Sequence, residues 1–298
     1  MQKNKIRKKF GPLNIILLLI LCAYVLSMFI MFGWGIITSL KSNVDYKINP
    51  LGFPSGGIAN WKWDNYLITL KEYAVPLRIN GKIYKVGMFR MFLNSIVYSA
   101  GLALLNSFLQ CTMGYLVAKF DFKISKVIYA TVIVTMVLPI VGSLPSQLQI
   151  LRALHLYDNL IGVYLIKASF TGMYFLVFYA MFRGLQKEYV EAAYIDGAGN
   201  FRVYFQIVIP IVANTLLTIS LMSFIAYWND YQVSLIYMPS TPTIAYGMFY
   251  YTQSAETVSS WPPLKITGCI IMTIPILIIF IFGHKRIMGK IYTGGIKG

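Results

Sequence analysis

Six long runs without a single Asp or Glu constrain this chain more than any other feature: residues 13–37, 91–118, 127–145, 159–182, 205–228 and 264–283. Only Lys167 and Lys265 place a charge in any of them. About 20 consecutive apolar residues make a helix as long as the hydrocarbon core of a bilayer is thick. A water-soluble core cannot hide six such runs, and composition agrees: 57% of residues are hydrophobic and 12% charged, against about a quarter charged in soluble domains. Barrel strands need only about ten alternating residues, so these runs read as helices. The expected fold is an all-α integral membrane protein with six transmembrane helices.

The remaining residues divide the chain. Residues 1–12 form a basic head and 13–37 the first span; 38–90 read as a folded extracytoplasmic loop rich in Gly, Pro and Trp; 91–283 form the transmembrane core; 284–298 form a tail. The basic start followed by Leu13 resembles a secretory signal only superficially, because a run of 25 residues exceeds the roughly 7 to 15 of a signal's apolar region. It is expected to stay as an anchor. With the amino terminus in the cytoplasm, the inner segments carry fifteen Lys and Arg, whereas the outer short loops carry Arg152 and the boundary residue Lys265. That asymmetry is the positive-inside pattern, so both termini are expected in the cytoplasm and the net charge of +16 is an orientation signal rather than a nucleic-acid footprint.

Residues 231–255 are uncharged and long enough to span, but Pro239 and Pro242 and a high Ser, Thr and Gln content argue for an outer loop, and a seventh span would carry Lys285, Arg286 and Lys290 outside. Cys22, Cys111 and Cys269 lie in apolar runs without metal or disulfide spacing. There is no GxxxxGK[ST] phosphate loop, and His155 and His284 have no partner at ligand spacing. Nothing points to a catalytic site, a metal or a bound cofactor.

One polar segment, 184–210, lies between two spans on the cytoplasmic side. Residues 186–195 favour a helix, with Glu188 and Glu191 near the start where the helix dipole prefers negative charge. Gly197 and Gly199 break it. A second helix is expected from Asn200, whose side chain could cap it, with Phe201, Tyr204, Phe205 and Val208 at helical spacing. Ala192 and Ala193 leave a nearly bare face that a partner's backbone could approach.

At these residues the chain resembles the membrane subunits of ABC importers. The order Glu191, Ala192, Ala193, Gly197, Ile207, Ile209, Pro210 matches their EAA signature, with Ile209 where Leu is usual. Asp196, Gly197 and Ala198 make it most similar to the carbohydrate-uptake branch, in particular the second membrane subunit of maltose-type importers, and the tail from Gly289 through Thr293, Gly294 and Gly295 to Gly298 is similar too. The resemblance implies a type I permease fold and binding-protein-dependent sugar import. It implies as partners a second related membrane subunit, two ATPase subunits that bind ATP and Mg, and an extracytoplasmic solute-binding protein toward which residues 238–260 would reach. Glu191, Ala192, Ala193, Asp196, Gly197, Ala198 and Pro210 would couple this chain to the ATPase.

For a sugar path the candidates are Lys167, Phe170, Tyr174, Trp228, Asn229 and Asp230. Aromatic faces take the CH surface of a pyranose, and amides and carboxylates take hydroxyls. Phe170 and Tyr174 fall in helical register with Lys167. Two other readings stand beside this one: Lys167 snorkels or pairs with a neighbour, and the Tyr227 to Tyr231 cluster anchors a span at the interface. A phosphorylated sugar is the competing cargo, which extra cations in the path would favour. An ATP-independent secondary transporter would need carboxylates inside the spans.

Overall fold

The computed structural model describes residues 11–79, 81–120, 123–138, 142–186, 188–253 and 261–288. The first ten residues, the glycine-rich tail at 289–298, residues 254–260 of the expected outer loop and Pro139 lie outside them. In chain order the elements are α1 (Pro12–Ser39), α2 (Asn43–Ile48), α3 (Asp64–Glu72), β1 (Ala74–Ile79), β2 (Lys82–Gly87), α4 (Met88–Lys119), α5 (Lys123–Val137) and α6 (Ser143–Ala153). Next come α7 (Leu160–Lys167), α8 (Met173–Gly184), α9 (Glu188–Ile195), α10 (Asn200–Val203), α11 (Ile209–Trp228), α12 (Gln232–Ile236), α13 (Ile244–Gln253) and α14 (Pro262–Met288). The described residues fall into two compact units, one of residues up to Tyr73 with Tyr251–Ile271, the other of Ala74–Tyr250 and residues from Met272 onward.

Among the described residues, four helices are long and apolar enough to cross a membrane: Pro12–Ser39, Met88–Lys119, Asn200–Trp228 and Pro262–Gly283. The other two expected runs are interrupted. Residues 127–145 begin in α5, which ends at Val137, and α6 restarts after Gly142 at φ 85. Residues 159–182 are divided between α7 and α8, with a break at 168–172 closed by Gly172 at φ 142, a conformation that favours glycine. Hydropathy does not register such breaks, because Ala, Ser, Phe and Thr are as uncharged as the helices around them. Among the described residues, 231–253 hold no continuous span; α13 has 10 residues, about 15 Å of helix.

The second unit buries polar side chains beside apolar ones such as Met91, Leu102 and Cys111. Along α4 the buried side includes Ser95, Ser99, Asn106, Ser107 and Gln110, while Ile96, Val97, Leu104 and Phe108 are exposed. In lipid, exposed apolar residues carry no penalty, and small or polar residues gather where helices meet. Gly114 allows α8 against α4: a Cβ there would lie 2.8 Å from Phe178 Cβ and 3.1 Å from the Tyr179 amide nitrogen. The loop at 38–90 also contains an antiparallel hairpin, β1 on β2, with Ile79 opposite Lys82. The Asn80-Gly81 pair between two alternating stretches is a strong hairpin signal, and Gly81 sits at φ 77.

Candidate functional site

The 184–210 segment folds as a short helix standing on the core. Glu188 and Glu191 occupy the first turn of α9, as the dipole favours. At the other end the Gly197 amide donates to Tyr194 O at 3.0 Å and the Ala198 amide to Ala193 O at 2.9 Å. With Gly197 at φ 79, this is a Schellman cap, which satisfies carbonyls that a helix end otherwise leaves open. The Tyr194 hydroxyl donates to Asn200 Oδ1 at 2.8 Å and ties the two helices together.

Three expectations change here. Asn200 does not cap α10: the capping position is Gly199, without a side-chain bond, and the Asn200 oxygen serves Tyr194. The inward face running from α10 into α11 is Val203, Tyr204, Val208 and Val212, whereas Phe201 and Phe205 are exposed, and a π-helical turn spans Tyr204–Val208. Pro210 lacks the amide that would bond Gln206 O, and the wider turn accommodates that loss. Ala193 is buried in this chain's own core with Tyr115, Phe178, Phe182 and Val208, and Ile207 and Ile209 pack on the same cluster. The open face is therefore Glu191 and Ala192, with Asp196 and Gly197 at the exposed end and Ala198 half-buried. Ile195 is 86% and Phe201 82% exposed, and both belong to this open face.

The second cluster gathers at the break after α7. Lys167 ends α7, and its Nζ meets Asp230 Oδ2 at 2.5 Å with both side chains largely covered. Asp230 also accepts the Tyr98 hydroxyl at 3.1 Å and, through Oδ1, the Val233 amide at 3.2 Å. Asn106 holds the interrupted backbone: its Nδ2 donates to Lys167 O at 3.1 Å and to the Tyr227 hydroxyl oxygen at 2.7 Å, while its Oδ1 accepts the Ser169 amide at 2.8 Å. The Lys167 ammonium lies 5.7 Å from the centre of the Tyr237 ring, and the Tyr237 hydroxyl donates to Gln147 Oε1. Irregular backbone at membrane depth persists where protein groups satisfy it, and Asn106 does so here.

The structure thus brings Lys167 and Asp230 together and separates the other path candidates. Phe170 is exposed within the break and Tyr174 packs against the α9 core cluster, so no continuous helix puts them in register with Lys167. Trp228 is 1% exposed, in tilted ring contact with Phe92 and Phe224, with its indole donating to Met272 O at 3.3 Å. It is a core side chain rather than an interfacial anchor. Asn229 is exposed, and its amide donates to Ile225 O at 2.8 Å. Tyr98, Asn106, Gln147 and Tyr237 join the network without having been singled out by sequence; a buried amide in a lipid-crossing run was the signal for Asn106.

Comparison with known proteins places these features. A family model described as "Binding-protein-dependent transport system inner membrane component" matches residues 110–291. The diacetylchitobiose uptake system permease protein NgcG of Streptomyces coelicolor is 25% identical over 88% of this chain and 82% of its own length. The arabinooligosaccharides transport system permease protein AraQ of Bacillus subtilis is 26% identical over 73% of this chain and 75% of its own. Among solved structures, a bacterial ABC transporter involved in import of the acidic polysaccharide alginate superposes with a TM-score of 0.71 at 18% identity, covering 92% of this chain and 95% of that one. The fold is shared with an ABC importer.

Proposed function

Because this chain belongs to the family of binding-protein-dependent transport system inner membrane components, we propose that it is a permease subunit of an ATP-driven sugar importer. Relatives named for diacetylchitobiose, arabinooligosaccharides and melibiose, raffinose and stachyose support an oligosaccharide as cargo. The chain is a transport subunit rather than an enzyme. It resides in the cytoplasmic membrane with both termini and the α9 segment on the cytoplasmic side. Its partners are a second related membrane subunit, two ATPase subunits that bind ATP and Mg, and an extracytoplasmic solute-binding protein.

The observation that carries the coupling role is the form of α9. It is closed by the cap at Gly197, anchored through Ala193 to the core that holds α11, and open on the side of Glu191, Ala192 and Ile195. A rigid projection rooted in a membrane helix transmits a push: closure of the ATPase pair against α9 moves α10 and α11 as one lever, turning the path outward so that the binding protein can release its sugar. The Lys167–Asp230 pair supports an uncharged sugar over a phosphorylated one, since the cation deepest in a span is already neutralised. Purification from native membrane in mild detergent, with mass spectrometry of the companions, tests the assembly. A second EAA-bearing subunit and an ATPase at about two copies per copy of this chain are expected; recovery of the chain alone, with uptake independent of ATP in liposomes, refutes it.

A further inference from the structure

The stretch 168–172, which separates α7 from α8, has two carboxamides of α4 beside it. Asn106 and Gln110 are four residues apart and share one face of that helix. Asn106 is occupied at both ends of its amide, by Lys167 O and the Tyr227 hydroxyl on one side and the Ser169 amide on the other. Gln110 is not. It is only 7% exposed, and among the described residues its Oε1 has no hydrogen-bond partner. A buried polar atom left in that state is costly, and a ligand that meets it removes the cost.

The amide head of Gln110 stands at the start of α8. A Cβ on Gly172, the capping residue, would lie 3.8 Å from Gln110 Oε1 and 3.9 Å from Nε2, so glycine brings bare backbone to the amide. Gly172 gives α8 no side-chain cap, and the first amides of a helix have no partner within it. They also carry the positive end of the helix dipole. The depth is that of the membrane interior. Lys119, at the end of α4, donates to Leu185 O just past the end of α8 at 2.8 Å, so the two helices finish level. Gln110 is nine residues back from Lys119, about 14 Å, close to half the thickness of a hydrocarbon core. Irregular backbone is tolerated there where protein buries it or a polar path runs beside it.

A group bound here must give a proton to Gln110 Oε1 and accept one from a backbone amide. A hydroxyl does both. A carboxylate or ionised phosphate has no proton for Oε1, and an ammonium has no lone pair for the amides. We infer that Gln110 and the first turn of α8 form a subsite in the middle of the membrane for one hydroxyl of an uncharged sugar. Gly172 is a positioning residue, since a side chain there would crowd the space between Gln110 and the helix start. The subsite rests on the reading of this chain as a sugar permease and deepens it: this subunit touches the sugar as well as receiving the push of the ATPase. It is separate from the Lys167–Asp230 pair, whose charges already bond each other.

Uptake by the assembled transporter in liposomes tests it, with ATP inside and the binding protein outside. The probe is a mixture of neutral di- to tetrasaccharides from partial acid hydrolysis of starch, arabinan and cellulose, and mass spectrometry reads which sugar accumulates. That sugar and its monodeoxy analogues are then compared at saturation, where the binding protein is loaded in every case. Gln110→Met keeps the length of the side chain without its amide. The unmodified transporter is expected to move one monodeoxy analogue about 3- to 10-fold more slowly than the parent sugar. Gln110→Met is expected to move the parent at that slower rate and to lose the discrimination. A parent rate in Gln110→Met equal to that of the unmodified transporter overturns the subsite and leaves the importer in place. Equal slowing of the parent and every analogue means that Gln110 acts on the fold or through a bound water, and overturns the subsite as well. ATP-dependent accumulation of no sugar from the mixture overturns the sugar-importer reading and the subsite with it.

Discussion

Replacing Gly197 separates two reasons why a glycine could stand at the end of α9. Its φ of 79 costs an L-residue roughly 1–2 kcal/mol, and Asn tolerates that conformation better than most. A Cβ added there meets nothing within 4 Å, so within this chain the penalty is conformational and not steric. A loss of about 1–2 kcal/mol shifts the ratio of capped to uncapped α9 by roughly 5- to 30-fold. In the reconstituted transporter, sugar taken up per ATP hydrolysed should therefore fall in the order Gly197, Gly197→Asn, Gly197→Ala, Gly197→Val, with Val losing most of the coupling. If glycine instead serves close approach of the ATPase, Ala outperforms Asn and the order inverts. Uptake by Gly197→Val equal to that of the unmodified chain would refute the cap as a coupling element.

The core supplies three further tests. Lys167→Met leaves Asp230 charged with only Tyr98 and the Val233 amide as donors; breaking a buried pair costs roughly 3–5 kcal/mol, which partial exposure reduces to about 2 kcal/mol. Thermal unfolding in detergent should show Lys167→Met with Asp230→Asn more stable than Lys167→Met alone, and a single variant as stable as the double one argues against the pair. Asn106→Ala strips partners from Lys167 O and the Ser169 amide, about 1–3 kcal/mol for each group left buried, so its Tm should fall further than that of Asn229→Ala, whose amide is exposed. Gly114→Ala forces a contact of 2.8 Å on Phe178 and should cost about 1–3 kcal/mol, whereas Gly33→Ala, which meets nothing within 4 Å, should leave the melting curve in place.

Periodicity worked where one solvent boundary decided the outcome and failed where two internal surfaces competed. The α9 start was legible because Glu188 and Glu191 favour a helix amino terminus, and Gly197 because glycine readily ends a helix with positive φ. The helical spacing of Phe201, Tyr204, Phe205 and Val208 does not mark one buried face, since Tyr204 and Val208 turn inward and Phe201 and Phe205 outward, and a spacing rule built on 3.6 residues per turn does not register the π-helical turn at Tyr204–Val208. By its Gly, Pro and Trp content 38–90 reads only as a folded loop, without the hairpin at 74–87, for which Asn80-Gly81 is the local signal.

The sequence by itself determined the solvent and the family. Hydropathy is additive along a chain, so six long runs free of Asp and Glu imply lipid whatever their arrangement, and the order of Glu191, Ala192, Ala193, Gly197 and Pro210 identifies the family without a contact map. Tertiary structure alone decided that two of those runs break, that Lys167 finds Asp230 63 residues away, that Ala193 faces inward, and that Trp228 is core. Each of these depends on which side chain stands opposite which. A buried carbonyl, amide or charge is tolerated in lipid only when a distant part of the chain supplies its partner.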